Sequence, residues 1–207
     1  MQTVDLVRVI FALAVGYLLG GIPFGIIVTR LIGGTDPRTI GSGRTGGANV
    51  SRAVGIRWAL VSGLLDVAKA SLAVLLVIVI GGGVVPQVVA ALAAILGHSR
   101  SPYIGLHGGR GVAPATGGAL IIAPLIVAVM LPIFLIVILV TRISSLGSLG
   151  ASAIGGVVMV VAAAVMPLAP IYYVYGVCAP GLIWLFHADN IGRLLAGEER
   201  RIGPSKG

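Results

Sequence analysis

The sequence predicts an all-α fold, a polytopic integral membrane helical bundle of about seven transmembrane helices forming one domain over residues 1–207. Hydrophobic residues make up 57% of the chain and charged residues only 10%. Because a soluble domain has about 25% charged residues, this composition indicates a membrane protein. Long apolar runs separated by short basic or glycine-rich turns support the same fold class.

Six apolar stretches follow one another along the chain. The first contains a break at Gly20–Pro23, whose backbone groups neighbouring helices must cover. The third is short, and spans a bilayer only where the bilayer thins or the helix continues through His98. The fourth contains Pro124 and Pro132, and is either one kinked helix or two short helices in a hairpin. The predicted stretches are Leu6–Thr29, Trp58–Ile80, Val84–Leu96, Val112–Val140, Leu146–Val165 and Ile171–Phe186.

The basic residues predict which loops face the cytoplasm. They concentrate in residues 32–57, in the turn after His98, at Arg142 and in the C-terminal tail, and cytoplasmic loops carry such an excess. The uncharged turns at Gly81 and Met166 are then outside. With the loops on these sides, Val112–Val140 must cross the membrane twice. This gives seven crossings with the N-terminus outside and the C-terminus cytoplasmic. A five-crossing arrangement, with the last two segments as one broken element, keeps the same parity.

The charge and cysteine content exclude several classes of function. Fourteen Lys and Arg against six Asp and Glu give a net charge of +8, but most cations lie in short loops and aromatic residues are sparse. We therefore predict membrane lipids as partners and no nucleic acid. The single cysteine, Cys178, excludes an intrachain disulfide. No His, Cys or carboxylate spacing is typical of a metal site, so neither a metal nor a cofactor is expected.

A first polar motif, GSGRTGGANVSR, occupies residues 41–52. Its small residues, hydroxyl, amide and arginine are suited to wrapping an anion, with the arginine as a bidentate partner. The glycine pattern follows no strand, which excludes a dinucleotide-binding site. A flexible loop is the alternative. The candidate binding residues are Gly41, Ser42, Gly43, Asn49 and Arg52.

The central motif, LGHSRSPYIGLHGGRGVAPAT, occupies residues 96–116 between two apolar stretches. The Gly108–Gly109 pair offers unobstructed backbone N–H groups beside the cation of Arg110, which suits a phosphate. The alternative is a loop whose basic residues only orient the protein in the membrane. His98 either orients this loop through a hydrogen bond or caps the preceding helix.

The third motif, HADNIGRLLAGEE, follows the last apolar stretch. His187, Asn190 and Arg193 are spaced three apart, so a helix would place them on one polar face, with Glu199 beyond. An amphipathic tail bound to anionic lipid is the alternative. In the second stretch, Asp66 and Lys69 are also three apart and can pair, which would shield both charges from lipid.

Together, these motifs resemble the bacterial acylphosphate:glycerol-3-phosphate acyltransferases of the PlsY type. That family has a GSGNxGATNxxR pattern, a GH loop ending in KGGKG and a final HxxNIxRLxxGxE, and it carries an intramembrane Asp and Lys like Asp66 and Lys69. The chain departs from it at Arg44, at Gly47–Ala48, at His107 and Arg110 in place of two lysines, at Pro114, and at Pro102, one residue late. The matching positions are Ser42, Asn49, Arg52, Gly97, His98, Gly108, Gly109, His187, Asn190, Ile191, Arg193, Leu194, Gly197 and Glu199.

The resemblance implies transfer of a fatty acyl group from an acyl phosphate to the 1-hydroxyl of glycerol 3-phosphate, giving lysophosphatidic acid and orthophosphate for phospholipid synthesis. It implies a multi-pass protein of the bacterial inner membrane with a cytoplasmic active site. Ser42, Arg52 and Arg110 would clamp phosphate with the Gly108–Gly109 amides. His187 and Asn190 would position glycerol 3-phosphate, and Glu199 would orient a basic neighbour. His187 could also act as general base, although the family's apparent use of substrate phosphate as base favours positioning.

Three hypotheses about function follow from these residues. An acyltransferase explains all three motifs, and an acyl phosphate needs no covalent enzyme nucleophile because its leaving group is good. A small phosphate transporter would account for the broken spans and basic loops, but we see no internal repeat in the sequence. An inactive homologue that partners lipid-synthesis proteins would account for the departures. A His with Asp five positions later, as another acyltransferase class uses, does not occur.

Overall fold

The computed structural model describes residues 6–202. These residues form ten α-helices, with short 3-10 turns at Pro37–Thr39 and Pro102–Ile104. The helices are α1 Leu6–Gly21, α2 Phe24–Leu31, α3 Gly47–Val54, α4 Ile56–Val79, α5 Val84–Ser99, α6 Val112–Ile122, α7 Pro124–Thr141, α8 Ser144–Val165, α9 Ile171–Phe186 and α10 Ala188–Leu195. The all-α class predicted from composition is confirmed.

The described helices divide into two compact units, residues 6–122 and 123–202, and each is described on its own. In the first unit, α1 and α5 pack closely because glycines lie at their contact. A Cβ at Gly16 or Gly20 would overlap the α5 backbone at Ala90 or Ala94, and a Cβ at Gly97 would overlap the Tyr17 carbonyl. Small residues allow membrane helices to approach in this way, since lipid supplies no hydrophobic driving force between them.

The long helix α4 packs against α1, α2, α3, α5 and α6. Its buried face carries the polar side chains of Ser62, Asp66 and Lys69, followed by small and β-branched residues toward the C-terminus. Helices α4 and α6 also lie close together. Ser71 Oγ of α4 donates to the Gly117 carbonyl of α6 at 2.8 Å, and a Cβ at Gly117 would overlap the Val67 carbonyl of α4. The centre of this unit is therefore polar at one end and apolar at the other.

The break between α1 and α2 is covered as the sequence predicts. The carbonyl of Gly21 accepts a hydrogen bond of 2.6 Å from Ser101 Oγ, and the carbonyl of Ile22 accepts one of 2.7 Å from Lys69 Nζ. Groups freed by Pro23 thus find partners on α4 and on the turn after α5. An unsatisfied carbonyl in a bilayer core would cost several kcal/mol, so these contacts permit the break.

In the second unit, glycines of α8 contact both neighbouring helices. A Cβ at Gly155 would overlap Met130 of α7, and a Cβ at Gly156 would lie 2.5 Å from the Gly176 carbonyl of α9. Trp184 Nε1 donates to the Leu149 carbonyl at 3.3 Å, a second link between α8 and α9. Helix α10 then turns 67° away from α9 at His187.

Four segments are long and apolar enough to cross a membrane by themselves, namely Leu6–Leu31, Ile56–Val79, Pro124–Thr141 and Ser144–Val165. The bent pair of α9 and α10 raises the number to five among the described residues. Helix α6 has 11 residues, about 16 Å of rise against a hydrocarbon core of about 30 Å. The chain is a helical membrane protein with four or five such segments among the described residues, and the seven crossings stay a prediction.

The individual boundaries agree closely with the sequence, apart from the fourth stretch. Helix α5 continues through His98 to Ser99, and α9 begins and ends at the predicted residues. The fourth stretch is two helices separated at Ala123, whose backbone has φ −156° and ψ 66°. The break therefore falls before Pro124. Pro132 lies inside α7 without ending it, because a membrane helix tolerates proline where neighbouring groups satisfy the backbone.

Candidate active site

The first polar motif folds around the side chain of Asn49, which is 2% exposed. Its Nδ2 donates to the carbonyls of Ile40 and Arg44, at 3.0 and 2.9 Å, and to Ser42 Oγ at 3.1 Å. Its Oδ1 accepts from Arg52 Nη1 at 2.8 Å and from the Ser42 backbone N–H at 3.4 Å. Asn49 thus holds the Ser42 hydroxyl and the Arg52 guanidinium in one network.

Two glycines allow the chain to turn tightly around that amide. Gly41 and Gly43 have φ values of +58° and +69°, a region that residues with a Cβ rarely adopt. A Cβ at Gly41 would also overlap Asn49 Oδ1 and lie 3.1 Å from Arg52 Nη1. Gly41 is therefore required both by its conformation and by the close approach of the network.

An ion pair precedes this loop in the same polar segment. Asp36 caps the Pro37–Thr39 turn by accepting from the Arg38 backbone N–H at 2.9 Å, and its Oδ2 lies 2.7 Å from Arg38 Nη2. The hydrogen bond from the Arg38 side chain holds the pKa of Asp36 below its ordinary value, against the opposing effect of partial burial. Arg38 is engaged in local structure here.

The central motif places its glycine pair against the end of α5. The Gly109 backbone N–H donates to the His98 carbonyl at 3.1 Å, and both Gly108 and Gly109 are buried. The prediction of an unobstructed N–H at Gly109 is therefore wrong, because the end of α5 already occupies it. A Cβ at Gly108 would overlap the His98 carbonyl, and a Cβ at Gly109 would overlap His98 Nε2. Arg110 follows, half-buried, immediately before Gly111 and the first residue of α6.

The His98 side chain lies in a buried polar cluster with Asp66 and Lys69. Lys69 Nζ is 2.6 Å from Asp66 Oδ1 and 3.0 Å from His98 Nδ1. The predicted pairing of Asp66 with Lys69 on one face of α4 is confirmed. The sequence analysis missed that His98 joins the pair; the available signal was that polar groups on neighbouring membrane helices tend to pair with one another.

The third motif forms a network at the end of the second unit. Glu199 Oε1 accepts from Asn190 Nδ2 at 2.8 Å, and Oε2 accepts from Arg193 Nε at 3.0 Å. Arg193 Nη2 also lies 3.3 Å from Asp189 Oδ2. Asn190 and Arg193 share the predicted polar face of α10, and Glu199 returns from the following turn to join them.

His187 stands at the junction of α9 and α10 and is buried. Its Nδ1 is 2.8 Å from the Ile183 carbonyl, and a carbonyl oxygen only accepts hydrogen bonds. Nδ1 therefore carries the proton in the neutral ring, which leaves Nε2 as an acceptor. An imidazole in this tautomer can accept a hydrogen bond from a hydroxyl group.

The structure assembles the predicted residues into three local groups. Residues 6–122 contain the Asn49 network and the glycine pair docked on His98, while residues 123–202 contain the Glu199 network and His187. The roles assigned to these residues toward a substrate stay predictions. Among residues 6–202, no cluster of three or more His, Cys, Asp or Glu side chains is placed to hold a metal ion.

The fold and these three groups define a helical membrane protein with polar loops rich in glycine and arginine, and known proteins share this combination. The glycerol-3-phosphate acyltransferase family model matches residues 10–197. A glycerol-3-phosphate acyltransferase of Sinorhizobium fredii is 40% identical over 94% of this chain and 92% of its own. One of Thermus thermophilus is 39% identical over 94% of this chain and 95% of its own.

Solved structures are similar as well. The crystal structure of PlsY (YgiH), an integral membrane glycerol 3-phosphate acyltransferase, in its glycerol 3-phosphate form superposes with a TM-score of 0.84 at 32% identity, covering 94% of this chain and 96% of that one. Its lysophosphatidic acid form gives a TM-score of 0.82 at 31% identity, covering 94% and 95%. The chain belongs to the glycerol-3-phosphate acyltransferase family. It is a multi-pass integral membrane acyltransferase of bacteria, which confirms the resemblance seen in the motifs.

Proposed function

We propose that the protein transfers an acyl group from an acyl phosphate to the 1-hydroxyl of glycerol 3-phosphate. The hydroxyl oxygen forms a bond to the acyl carbonyl carbon, and the bond from that carbon to the phosphate oxygen breaks. The hydroxyl proton leaves with the phosphate group, so the products are lysophosphatidic acid and orthophosphate. The membership of the chain in its family and its similarity to PlsY in a glycerol 3-phosphate form support this reaction.

The observation that carries the proposal is the Asn49 network. It holds a hydroxyl and a guanidinium on one loop, with distances of 3.1 Å from Asn49 Nδ2 to Ser42 Oγ and 2.8 Å from Arg52 Nη1 to Asn49 Oδ1. Because Ser42 Oγ accepts from Asn49, its own proton is directed elsewhere. Both groups can then donate to phosphate oxygens, and charge-assisted donors of this kind bind phosphate strongly.

The central turn supplies the second part of the clamp in the proposal. Arg110 offers a cation next to Gly108 and Gly109 in the chain, and the glycine pair itself is held on His98. Donors already in place before the reaction stabilise the charge that develops on the departing phosphate without further rearrangement. Gly41, Gly43 and Asn49 shape the first loop in this scheme, and Gly108 and Gly109 shape the second.

The third motif positions the acceptor. His187 Nε2 is the acceptor nitrogen of its ring, so it can take a hydrogen bond from the glycerol hydroxyl. Asn190 and Arg193 are held by Glu199, which fixes an amide and a guanidinium beside it. Because substrate phosphate can receive the hydroxyl proton, His187 orients the nucleophile, and holding the two reactants in the correct geometry lowers the barrier.

The proposed topology is seven crossings of a single domain, residues 1–207, with the N-terminus outside and the C-terminus cytoplasmic. The support is the concentration of Lys and Arg in the loops that carry the three motifs, which favours an active site at the cytoplasmic face. The fatty acyl chain lies among the helices and enters from the inner leaflet. The orientation can be tested by substituting arginine in a turn that is predicted to lie outside, such as Gly82, and measuring the effect on insertion of the protein into the membrane.

The first test measures orthophosphate release from palmitoyl phosphate by the purified protein, with and without glycerol 3-phosphate. Release that depends on glycerol 3-phosphate and is lost in Arg52→Ala is the expected result. Arg57→Ala is the matched control, because Arg57 lies in the same polar segment but stacks over the Trp58 ring at 5.6 Å. Absence of release with any acceptor would refute the proposed reaction.

A further inference from the structure

The buried cluster of Asp66, Lys69 and His98 has no role in the proposed chemistry, yet the charged groups of Asp66 and Lys69 are costly to bury. Asp66 and Lys69 are 3% and 4% exposed and lie on a helix that is long and apolar enough to cross a membrane. Ionisable residues in such segments are rare, because desolvating them is expensive. We therefore expect this buried charged cluster to have a function beyond packing.

Lys69 has the hydrogen-bonding partners of a fully engaged ammonium group. Nζ is 2.6 Å from Asp66 Oδ1, 2.7 Å from the Ile22 carbonyl and 3.0 Å from His98 Nδ1. The contacts with the Ile22 carbonyl and His98 Nδ1 are hydrogen bonds, and the contact with Asp66 is an ion pair. His98 Nδ1 also lies 3.5 Å from Asp66 Oδ1, a longer contact than the 3.0 Å to Lys69 Nζ. Because an ammonium only donates, the shorter contact makes Nδ1 an acceptor and leaves the proton of the neutral ring on Nε2.

His98 in turn contacts the glycine pair of the central turn from two sides. Its carbonyl accepts from the Gly109 backbone N–H at 3.1 Å. Its Nε2 borders Gly109 so closely that a Cβ there would overlap it. The ring that Lys69 and Asp66 hold is therefore a wall of the turn that carries Arg110.

We infer that Asp66 and Lys69 are positioning residues for the central turn. They fix the ring plane and tautomer of His98, and His98 holds Gly108–Arg110 in the conformation that presents the Arg110 guanidinium to phosphate. The functional part of this inference rests on the proposed phosphate-binding role of the turn. The structural part does not, so the two can fail separately.

The first test is nitrogen-15 NMR of histidine-labelled wild-type protein, with the His98 signals assigned by a His98→Asn variant. The Nε2–H tautomer of His98 is expected. The Nδ1–H tautomer would overturn the inference, because Lys69 could not then donate to the ring. This experiment needs neither substrate nor activity.

The second test compares Asp66→Leu/Lys69→Met with the wild type. Removing both charges together leaves no uncompensated ion in the membrane, although the Ile22 carbonyl loses its donor. Cleavage by trypsin after Arg110 should accelerate by about tenfold or more, while cleavage after Arg57 is unchanged. The KM for a phosphate-bearing substrate should rise, and kcat/KM should fall by about tenfold or more, since small misplacements of binding groups have such effects.

Ser71→Ala is the matched control. It removes a hydrogen bond of 2.8 Å from the same helix to the Gly117 carbonyl. It should leave trypsin cleavage after Arg110 and the KM for each phosphate-bearing substrate unchanged. A double variant with wild-type cleavage and wild-type KM values would overturn the inference. Where the double variant does not accumulate, the wild-type NMR result decides. If the wild-type protein releases no orthophosphate, the proposed function fails, but cleavage and NMR still test the positioning.

Discussion

Glu199 Oε1 accepts a hydrogen bond of 2.8 Å from Asn190 Nδ2, across a turn that separates the carboxylate from α10. The same carboxylate accepts from Arg193 Nε at 3.0 Å, and its side chain is only 7% exposed. One buried anion thus fixes both an amide and a cation of the third motif. Hydrogen bonds to charged groups contribute more to stability than neutral ones.

Glu199→Ala should therefore destabilise the protein by about 2 kcal/mol or more and reduce its activity, because it removes the acceptor for both side chains. The measurement is the melting temperature in detergent together with orthophosphate release. Glu198→Ala is the control, since Glu198 is exposed on the neighbouring position. Equal melting temperatures for the two variants would contradict the structural role of Glu199.

Asn49→Asp should be as damaging as Asn49→Ala, despite its nearly unchanged shape. An aspartate cannot donate to the carbonyls of Ile40 and Arg44, and an unsatisfied buried group costs about 1–3 kcal/mol. Acceptor-dependent release should fall by about tenfold or more in both variants. Thr39→Val, which removes a hydrogen bond to the Asp36 carbonyl outside the loop, serves as control. Wild-type activity in Asn49→Asp would show that the amide donors are dispensable.

Gly109→Ala should lower activity because its methyl group would overlap His98 Nε2. Overpacking of this kind costs about 1–3 kcal/mol, and here it would displace the central turn. The control is Gly63→Ala in α4, where a Cβ meets no atom within 4 Å and alanine favours the helix. The measurement is orthophosphate release. Equal activity of Gly109→Ala and Gly63→Ala would show that the close contact with His98 is irrelevant.

Asp36 should make a stabilising contribution that depends on pH. Its pKa is lowered in the folded protein, chiefly by the hydrogen bond from Arg38, from an ordinary value of 3.8. A lowered pKa means that the contribution is complete above that ordinary value and disappears as the pH falls through the lower folded value. The difference in melting temperature between wild type and Asp36→Asn should stay constant from pH 7 to about pH 5 and shrink under more acidic conditions. A difference that grows with acidification would contradict this sign.

Most helix boundaries could be predicted from the sequence, because apolar length and flanking polar residues determine where a membrane helix ends. Helix α9 is delimited in this way by Pro170 and His187. The break at Ala123 could not be located, since the residues on both sides are equally apolar and the adjacent prolines gave several possible positions. The number of crossings also depends on short helices such as α6, whose composition does not reveal whether they cross.

The candidate residues were predictable by type, but their contacts were not. Ser42, Asn49 and Arg52 could be selected as polar groups in a glycine-rich loop, yet spacing along the chain does not show that Asn49 faces inward and binds the other two. That arrangement depends on left-handed turns at Gly41 and Gly43. Likewise, the pairing of Asp66 with Lys69 follows from helical periodicity, whereas the contact with His98 depends on how α4 packs against α5.

The interruption at Pro23 gives the first transmembrane segment a chemical property that a regular helix lacks. A carbonyl released from helical bonding at Ile22 is an oxygen ligand for an ammonium ion carried by a different helix. Replacing residues 20–23 with leucine or alanine to regularise this segment would raise its intrinsic helicity and remove that ligand. Protein engineers seeking a more thermostable version should therefore leave this irregularity intact.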